Sequence, residues 1–105
     1  MGLRKPKNIK HNGKSLADIL EAHQLFFSGK DGGTRADLTG ADLSNVNFQR
    51  AHLRNVNLRL ANVHGAKFSG ADMGVAILRE TDLTGVDLSG VDLSTTLMPK
   101  GYSPA

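Results

Sequence analysis

From Ala36 to Thr95 the chain is a single five-residue phrase repeated twelve times without an insertion or a deletion: ADLTG, ADLSN, VNFQR, AHLRN, VNLRL, ANVHG, AKFSG, ADMGV, AILRE, TDLTG, VDLSG, VDLST. The first position is always Ala, Val or Thr and the third always Leu, Phe, Val or Met, while the second is mostly Asp or Asn. A period of five fits neither the 3.6 of a helix nor the 2 of a strand. A chain that turns once per unit satisfies it, because the large third residue and the small first residue then face inward every time. Four such sides close a square coil, and stacked coils exchange backbone hydrogen bonds, which is the logic of a solenoid.

The tandem A(D/N)LxG pattern over Ala36–Thr95 resembles the pentapeptide-repeat family. That resemblance implies an all-β solenoid, a right-handed quadrilateral β-helix of about three coils in which residues twenty apart stack. The large inward ladders are then Leu38, Leu58 and Leu78; Leu43, Val63 and Leu83; Phe48, Phe68 and Leu88; Leu53, Met73 and Leu93. Phe48 above Phe68 is the sharpest check, since any other coil length separates them.

Upstream of the repeat, residues 1–14 carry Pro6, Gly13 and scattered lysines without periodicity and read as a basic flexible arm. Residues 15–35 read as an amphipathic capping α-helix followed by a glycine-bearing hinge, KDGGTR. Ser15 with Asp18 forms a capping box, Leu16, Ile19, Leu20, His23, Phe26 and Phe27 share one face, and Gly29 supplies the stop. The helix is expected to cover the open first coil, because terminal coils expose apolar surface and unpaired edges; the alternative is docking in a partner's groove. Residues 36–95 form the repeat. Residues 96–105 are a tail or cap in which Pro99 and Pro104 stop the ladder. Leu97, Met98 and Tyr102 either fold back over the last coil or leave that end to pair with a second copy, a homodimer through the C-terminal coil.

Composition narrows the function classes. The chain has no cysteine, so thiolate metal sites, disulfides and cysteine nucleophiles are excluded. It shows no membrane-spanning apolar run and no signal peptide, and Gly2 is followed by Pro6 where a myristoylation motif wants Ser or Thr, so a cytoplasmic protein is expected. The net charge of +3 is uneven: residues 1–35 hold seven Lys or Arg against three acids, the repeat five against seven. His11, His23, His52 and His64 are far apart in sequence, and His52 and His64 fall on different sides of a coil, so no metal set converges. The recurring Asp residues read as turn-bonding acceptors rather than catalytic pairs. No nucleophile, base and orienter assemble, and a filled solenoid has no pocket; neither enzyme activity nor a cofactor is expected.

The expected function is a non-catalytic structural or protein-interaction module that presents flat solenoid faces to a macromolecular partner. Departures from the repeat mark the candidate surface: Leu60 and Val75 stand where Gly is common, Ile77 where Asp is common, and Arg54, Arg59 and Arg79 project outward. The family resemblance suggests a second reading, DNA-mimic binding to a type II topoisomerase such as gyrase, although acidic rods do that and this chain is basic overall. A third is nucleic-acid or anionic-surface binding through Arg4, Lys5, Lys7, Lys10 and Lys14.

Overall fold

The repeat dictates the ladder. In the computed structural model, which describes residues 2–102, parallel bridges join residues twenty apart: Asp37 to Asn57 and on to Ile77 and Leu97, Asp42 to Asn62, Asn47 to Lys67 and Asp87, and His52 to Asp72. Four units therefore complete a circuit. We number the sides by their units: side 1 starts at residues 36, 56 and 76, side 2 at 41, 61 and 81, side 3 at 46, 66 and 86, and side 4 at 51, 71 and 91.

First and third residues fill the interior. Leu38, Leu43, Phe48, Leu53, Leu58, Val63, Phe68, Met73 and Leu78 are buried together with Ala36, Val46, Val56, Ala66 and Ala76. Phe48 and Phe68 stack with centroids 5.0 Å apart and planes 12° from parallel, as a twenty-residue circuit requires.

Each corner is built from the same chemistry. The second-position carboxylate or amide turns back on its own unit, as when Asp42 Oδ1 accepts the Ser44 amide at 3.2 Å and the Ser44 hydroxyl at 2.8 Å. Asn47, Asn57, Asn62, Asp72, Asp82, Asp87 and Asp92 bond the residue two ahead in the same way. The fifth residue then takes a left-handed conformation, from Gly40 at φ 71° to Glu80 at φ 61°. Glycine and asparagine accept this readily; branched residues do not.

Between circuits 36–55 and 56–75 every side carries three backbone hydrogen bonds. Between 56–75 and 76–95, sides 1 and 3 carry two each and sides 2 and 4 none among the described residues. Leu83, Val86, Leu88, Val91 and Leu93 are correspondingly only half-buried.

The repeat runs one unit past its expected end. Thr96 is buried, Leu97 donates to Ala76 O at 2.9 Å and its carbonyl accepts from Leu78 N at 2.8 Å, so Thr96–Met98 form a further rung on side 1. Pro99 stands at that unit's fourth position, where it ends the ladder.

The arm expected to be irregular is instead built into the structure. Arg4 pairs in parallel with Val46, its N–H donating to Asn45 O at 2.7 Å and its C=O accepting from Asn47 N at 2.9 Å, which adds a rung above side 3. A 3-10 turn at Pro6–Asn8 and a hairpin of β1 (Lys10–His11) and β2 (Lys14–Ser15) lead into α1 (Leu16–Phe27). The unpaired edge of side 3 supplies partners that no local pattern in the arm announces. Ser15 caps the helix, its Oγ accepting from Asp18 N at 3.1 Å, and Gly29 at φ 68° follows the last turn. Leu16 and His23 are buried, and Ile19 and Leu20 pack on the solenoid core.

Candidate functional site

The register gathers three departures from the repeat, Leu60, Val75 and Ile77, and the three outward arginines around side 1, whereas the departures at His52 and Lys67 fall on sides 4 and 3. Ile77 stands on side 1, with Asn57 above it and Leu97 below. Leu60, Arg59 and Arg79 lie at the corner leading to side 2, Arg54 and Val75 at the corner arriving from side 4. Leu60 is 51%, Val75 39% and Leu97 36% exposed, so the lower half of the side presents an apolar strip. Leu97 belongs to this strip and was missed in the sequence because it sits beyond the last regular unit.

Two of these residues are held at a cost. Leu60 has φ 61° and Val75 φ 52°, the left-handed region in which a branched side chain crowds its own backbone. Val75 N–H is met by Thr95 Oγ1 at 3.2 Å.

The arginines are partly tied down. Arg59 Nη2 lies 2.7 Å from Glu80 Oε1, and its Nε donates to the same oxygen at 3.1 Å. Arg54 Nε is 3.7 Å from Asp72, and its guanidinium covers Gly74, where a Cβ would meet Nη1 at 2.5 Å. Arg79 enters no ion pair among the described residues. Of the basic arm, Arg4 is committed to side 3: its Nη1 donates to Ser44 O at 2.8 Å and lies 3.6 Å from Asp42. Lys5, Lys7, Lys10 and Lys14 are exposed but spread over the 3-10 turn and the hairpin rather than gathered on one face.

The second-position carboxylates are electrostatically quiet. Bonds from the Thr39 hydroxyl and amide hold Asp37 below its usual pKa, and Ser44, Thr84 and Ser89 act likewise on Asp42, Asp82 and Asp87; on Asp92 the Ser94 amide is the larger cause. Each remains an ionised acceptor in its turn.

The fold brings together two histidines that the sequence keeps apart. His23 and His52 rings lie 6.3 Å apart, and Phe27 meets His23 edge-on at 4.8 Å. His23 is fully buried with both nitrogens engaged: Nδ1 accepts from Ala36 N–H at 2.9 Å and Nε2 donates to Arg54 O at 2.6 Å. Those partners fix the neutral Nε2–H tautomer. Burial pushes its pKa below the usual value, against the raising effect of the Arg54 carbonyl and with smaller lowering from the charges of His52 and Arg35. No three His, Cys, Asp or Glu among the described residues are placed to hold a metal ion.

The solenoid interior is filled, but a cleft of about 560 Å³ opens beside it, between the hairpin, α1, the hinge and the first unit. The expectation that a filled solenoid has no pocket does not extend to this junction, which the hairpin creates.

The profile of pentapeptide repeats matches residues 36–74 and 57–94, in eight copies. The chain belongs to the pentapeptide repeat family. Proteins of this family are right-handed quadrilateral β-helices, in keeping with the twenty-residue pairing described above. Among solved structures it is similar to the pentapeptide repeat protein Rfr23 of the cyanobacterium Cyanothece 51142, at 32% identity and a TM-score of 0.59 over 66% of this chain and 46% of that one. A pentapeptide repeat protein of the Arabidopsis thaliana thylakoid lumen is 33% identical, with a TM-score of 0.40 over 58% of this chain and 46% of that one. HetL of Nostoc sp. strain PCC 7120, a pentapeptide repeat protein involved in heterocyst differentiation regulation, is 29% identical, with a TM-score of 0.36 over 65% of this chain and 40% of that one. The chain thus spans less than half the length of each of these structures. No curated protein matches it. No helix among the described residues is long and apolar enough to cross a membrane.

Proposed function

We propose that this pentapeptide repeat protein is a non-catalytic interaction module that works in the cytoplasm and presents side 1 of its solenoid to a protein partner. In this reading the chain winds three coils, α1 caps the first, and Arg54, Arg59 and Arg79 frame an apolar centre of Leu60, Val75, Ile77 and Leu97. The observation that carries it is the left-handed backbone at Leu60 and Val75. Glycine or asparagine would fill both corners without strain, yet each holds an exposed apolar side chain. Arg50 and Glu80 share this backbone but carry charged side chains; an apolar side chain left exposed at such a corner is the mark of a surface kept for contact.

Affinity capture with crosslinking from native lysate tests the reading. The wild-type chain is expected to retain a protein that crosslinks to side 1, and the double variant Leu60→Asn, Val75→Gly to lose it while remaining folded. Equal capture by both removes side 1 from the function. Pairing of two copies through the C-terminal coil is read from sedimentation of the purified chain. Gyrase supercoiling assays separate this function from topoisomerase mimicry, which protection or inhibition would indicate. Nucleic-acid binding that disappears at high salt and on substitution of Lys5, Lys7, Lys10 and Lys14 would return the role to the arm.

A further inference from the structure

The cleft beside side 1 repeats, unoccupied by protein, a geometry that the chain fills for itself on side 3. There, Asn45 C=O and Asn47 N–H flank Val46 and hold Arg4 as an added parallel rung. Ten residues earlier, the same pair is Arg35 C=O and Asp37 N–H, flanking Ala36. Among the described residues no donor reaches Arg35 C=O and no acceptor meets Asp37 N–H, whereas the rungs below are complete: Asn57, Ile77 and Leu97 all donate upward, to Ala36, Val56 and Ala76. Arg35, Ala36 and Asp37 form one wall of the 560 Å³ cleft, faced by the hairpin and by Asp18, Ile19 and Ala22 of α1. The open edge is thus backed by a space large enough for a short stretch of extended chain.

Charge sets the occupant. On side 3 a basic residue suits the slot because Arg4 reaches Asp42 and Ser44. On side 1 the residue in the place of Asp42 is Gly32, and Lys14 and Arg35 line the cleft, with His11 beside them. Neither Lys14 nor Arg35 enters an ion pair among the described residues; Arg35 Nε donates to Asn55 O and leaves its other donors unused. The two acids lining the space balance these cations in number: Asp37 stays ionised while bonded to the Thr39 amide and hydroxyl, and Asp18 stands on the helix wall, so the acidic side chain is set by local contact with Lys14 and Arg35 and not by net charge.

We propose that the cleft is a strand-addition site, in which an extended peptide segment carrying an acidic side chain pairs with Arg35 C=O and Asp37 N–H. The central residue donates its N–H to Arg35 and accepts from Asp37, while its carboxylate meets Lys14 and Arg35. Proline is excluded at that residue, which must supply an N–H.

The test is an NMR titration of the isotope-labelled full chain with a blocked pentapeptide of Thr, Val, Glu, Val and Thr. The expected result is a shift centred on the Arg35, Ala36 and Asp37 amides, with slowed exchange of Asp37 N–H. N-methylation of the central Glu removes one backbone hydrogen bond and is expected to weaken binding roughly three- to tenfold. Replacing that Glu by Lys weakens it as well, and Lys14→Glu in the protein reverses the preference between the two peptides. Leu60→Asn and Val75→Gly leave this titration unchanged, so the result is independent of the function proposed for side 1. An Asp37 amide that stays in place at millimolar peptide overturns the proposal. So does an N-methylated peptide that binds as well as its parent.

Discussion

Replacing His23 by leucine is the most discriminating change available in the N-terminal layer. The imidazole joins the start of the first circuit at Ala36 to its end at Arg54, from a helix more than ten residues upstream of either. Leucine fills much of the volume but leaves a buried N–H and a buried C=O without partners. At about 1–3 kcal/mol for each buried group left unsatisfied, offset by the greater apolarity of leucine, the loss is about 2–4 kcal/mol. The same geometry fixes the pH dependence. A second proton must enter at Nδ1, where it would face the Ala36 N–H, so the folded chain takes it up only at a pH below the ordinary histidine value of 6.5. The unfolded chain binds it first. Stability from this group is therefore complete above 6.5 and declines as pH falls from there through the folded pKa, with a slope of at most about 1.4 kcal/mol per pH unit. Urea unfolding of wild type and His23→Leu between about pH 7 and 5 checks both parts, because the variant should be weaker at neutral pH and should lack this slope. An imidazole that titrates at or above 6.5 by NMR, or equal pH slopes for the two proteins, would refute the assigned tautomer and the argument built on it.

Val75→Gly should stabilise: relief of a left-handed L-residue returns about 1–2 kcal/mol and glycine's extra chain entropy removes about 0.5–1 of it, a net of about 0.75 kcal/mol at the centre of those ranges, for a Tm rise of roughly 3–6 °C by calorimetry. An unchanged or lower Tm would show that φ 52° is not strained there. Gly33→Ala should destabilise by about 1–3 kcal/mol, because a Cβ would collide with the backbone N and Cα of Phe26; the Thr34 amide, bonded to Ala22 O at 2.9 Å, should shift in the same NMR spectrum. Asp37, Asp42, Asp82, Asp87 and Asp92 all have pKa values lowered from 3.8, so their contribution is present above that pH and lost as pH falls through the folded values. Changing all five to Asn, which already fills the same role at Asn47, Asn57 and Asn62, should flatten the acid limb of the urea midpoint; an unaltered limb would locate acid sensitivity elsewhere.

What could be read from the sequence follows from what repeats. A period of five determines which residues face inward, and the stacking of Phe48 on Phe68 then needs only the number of units per circuit. Leu60, Val75 and Ile77 were visible as violations of the unit, and the register alone carries them to one side. The arm was not legible, because Arg4 is held by backbone groups at Asn45 and Asn47 that lie some forty residues away and have no side-chain signature. His23 was visible only as a polar residue on an apolar helical face. Its partners are main-chain atoms, which leave no trace in residue identity. The cleft is hidden for the same reason, since it exists only where a hairpin, a helix and a solenoid edge meet.

The stepwise thinning of the ladder gives the molecule a polarity. Circuit 36–55 is fastened to circuit 56–75 on all four sides, whereas the next seam is held on two opposite sides only. Loosening therefore starts at that lower seam and travels upward, as a zip opens from its unlatched end. The apolar strip of Ile77 and Leu97 lies on one of the two sides that hold the seam closed, so a partner seated there would also act as a clasp.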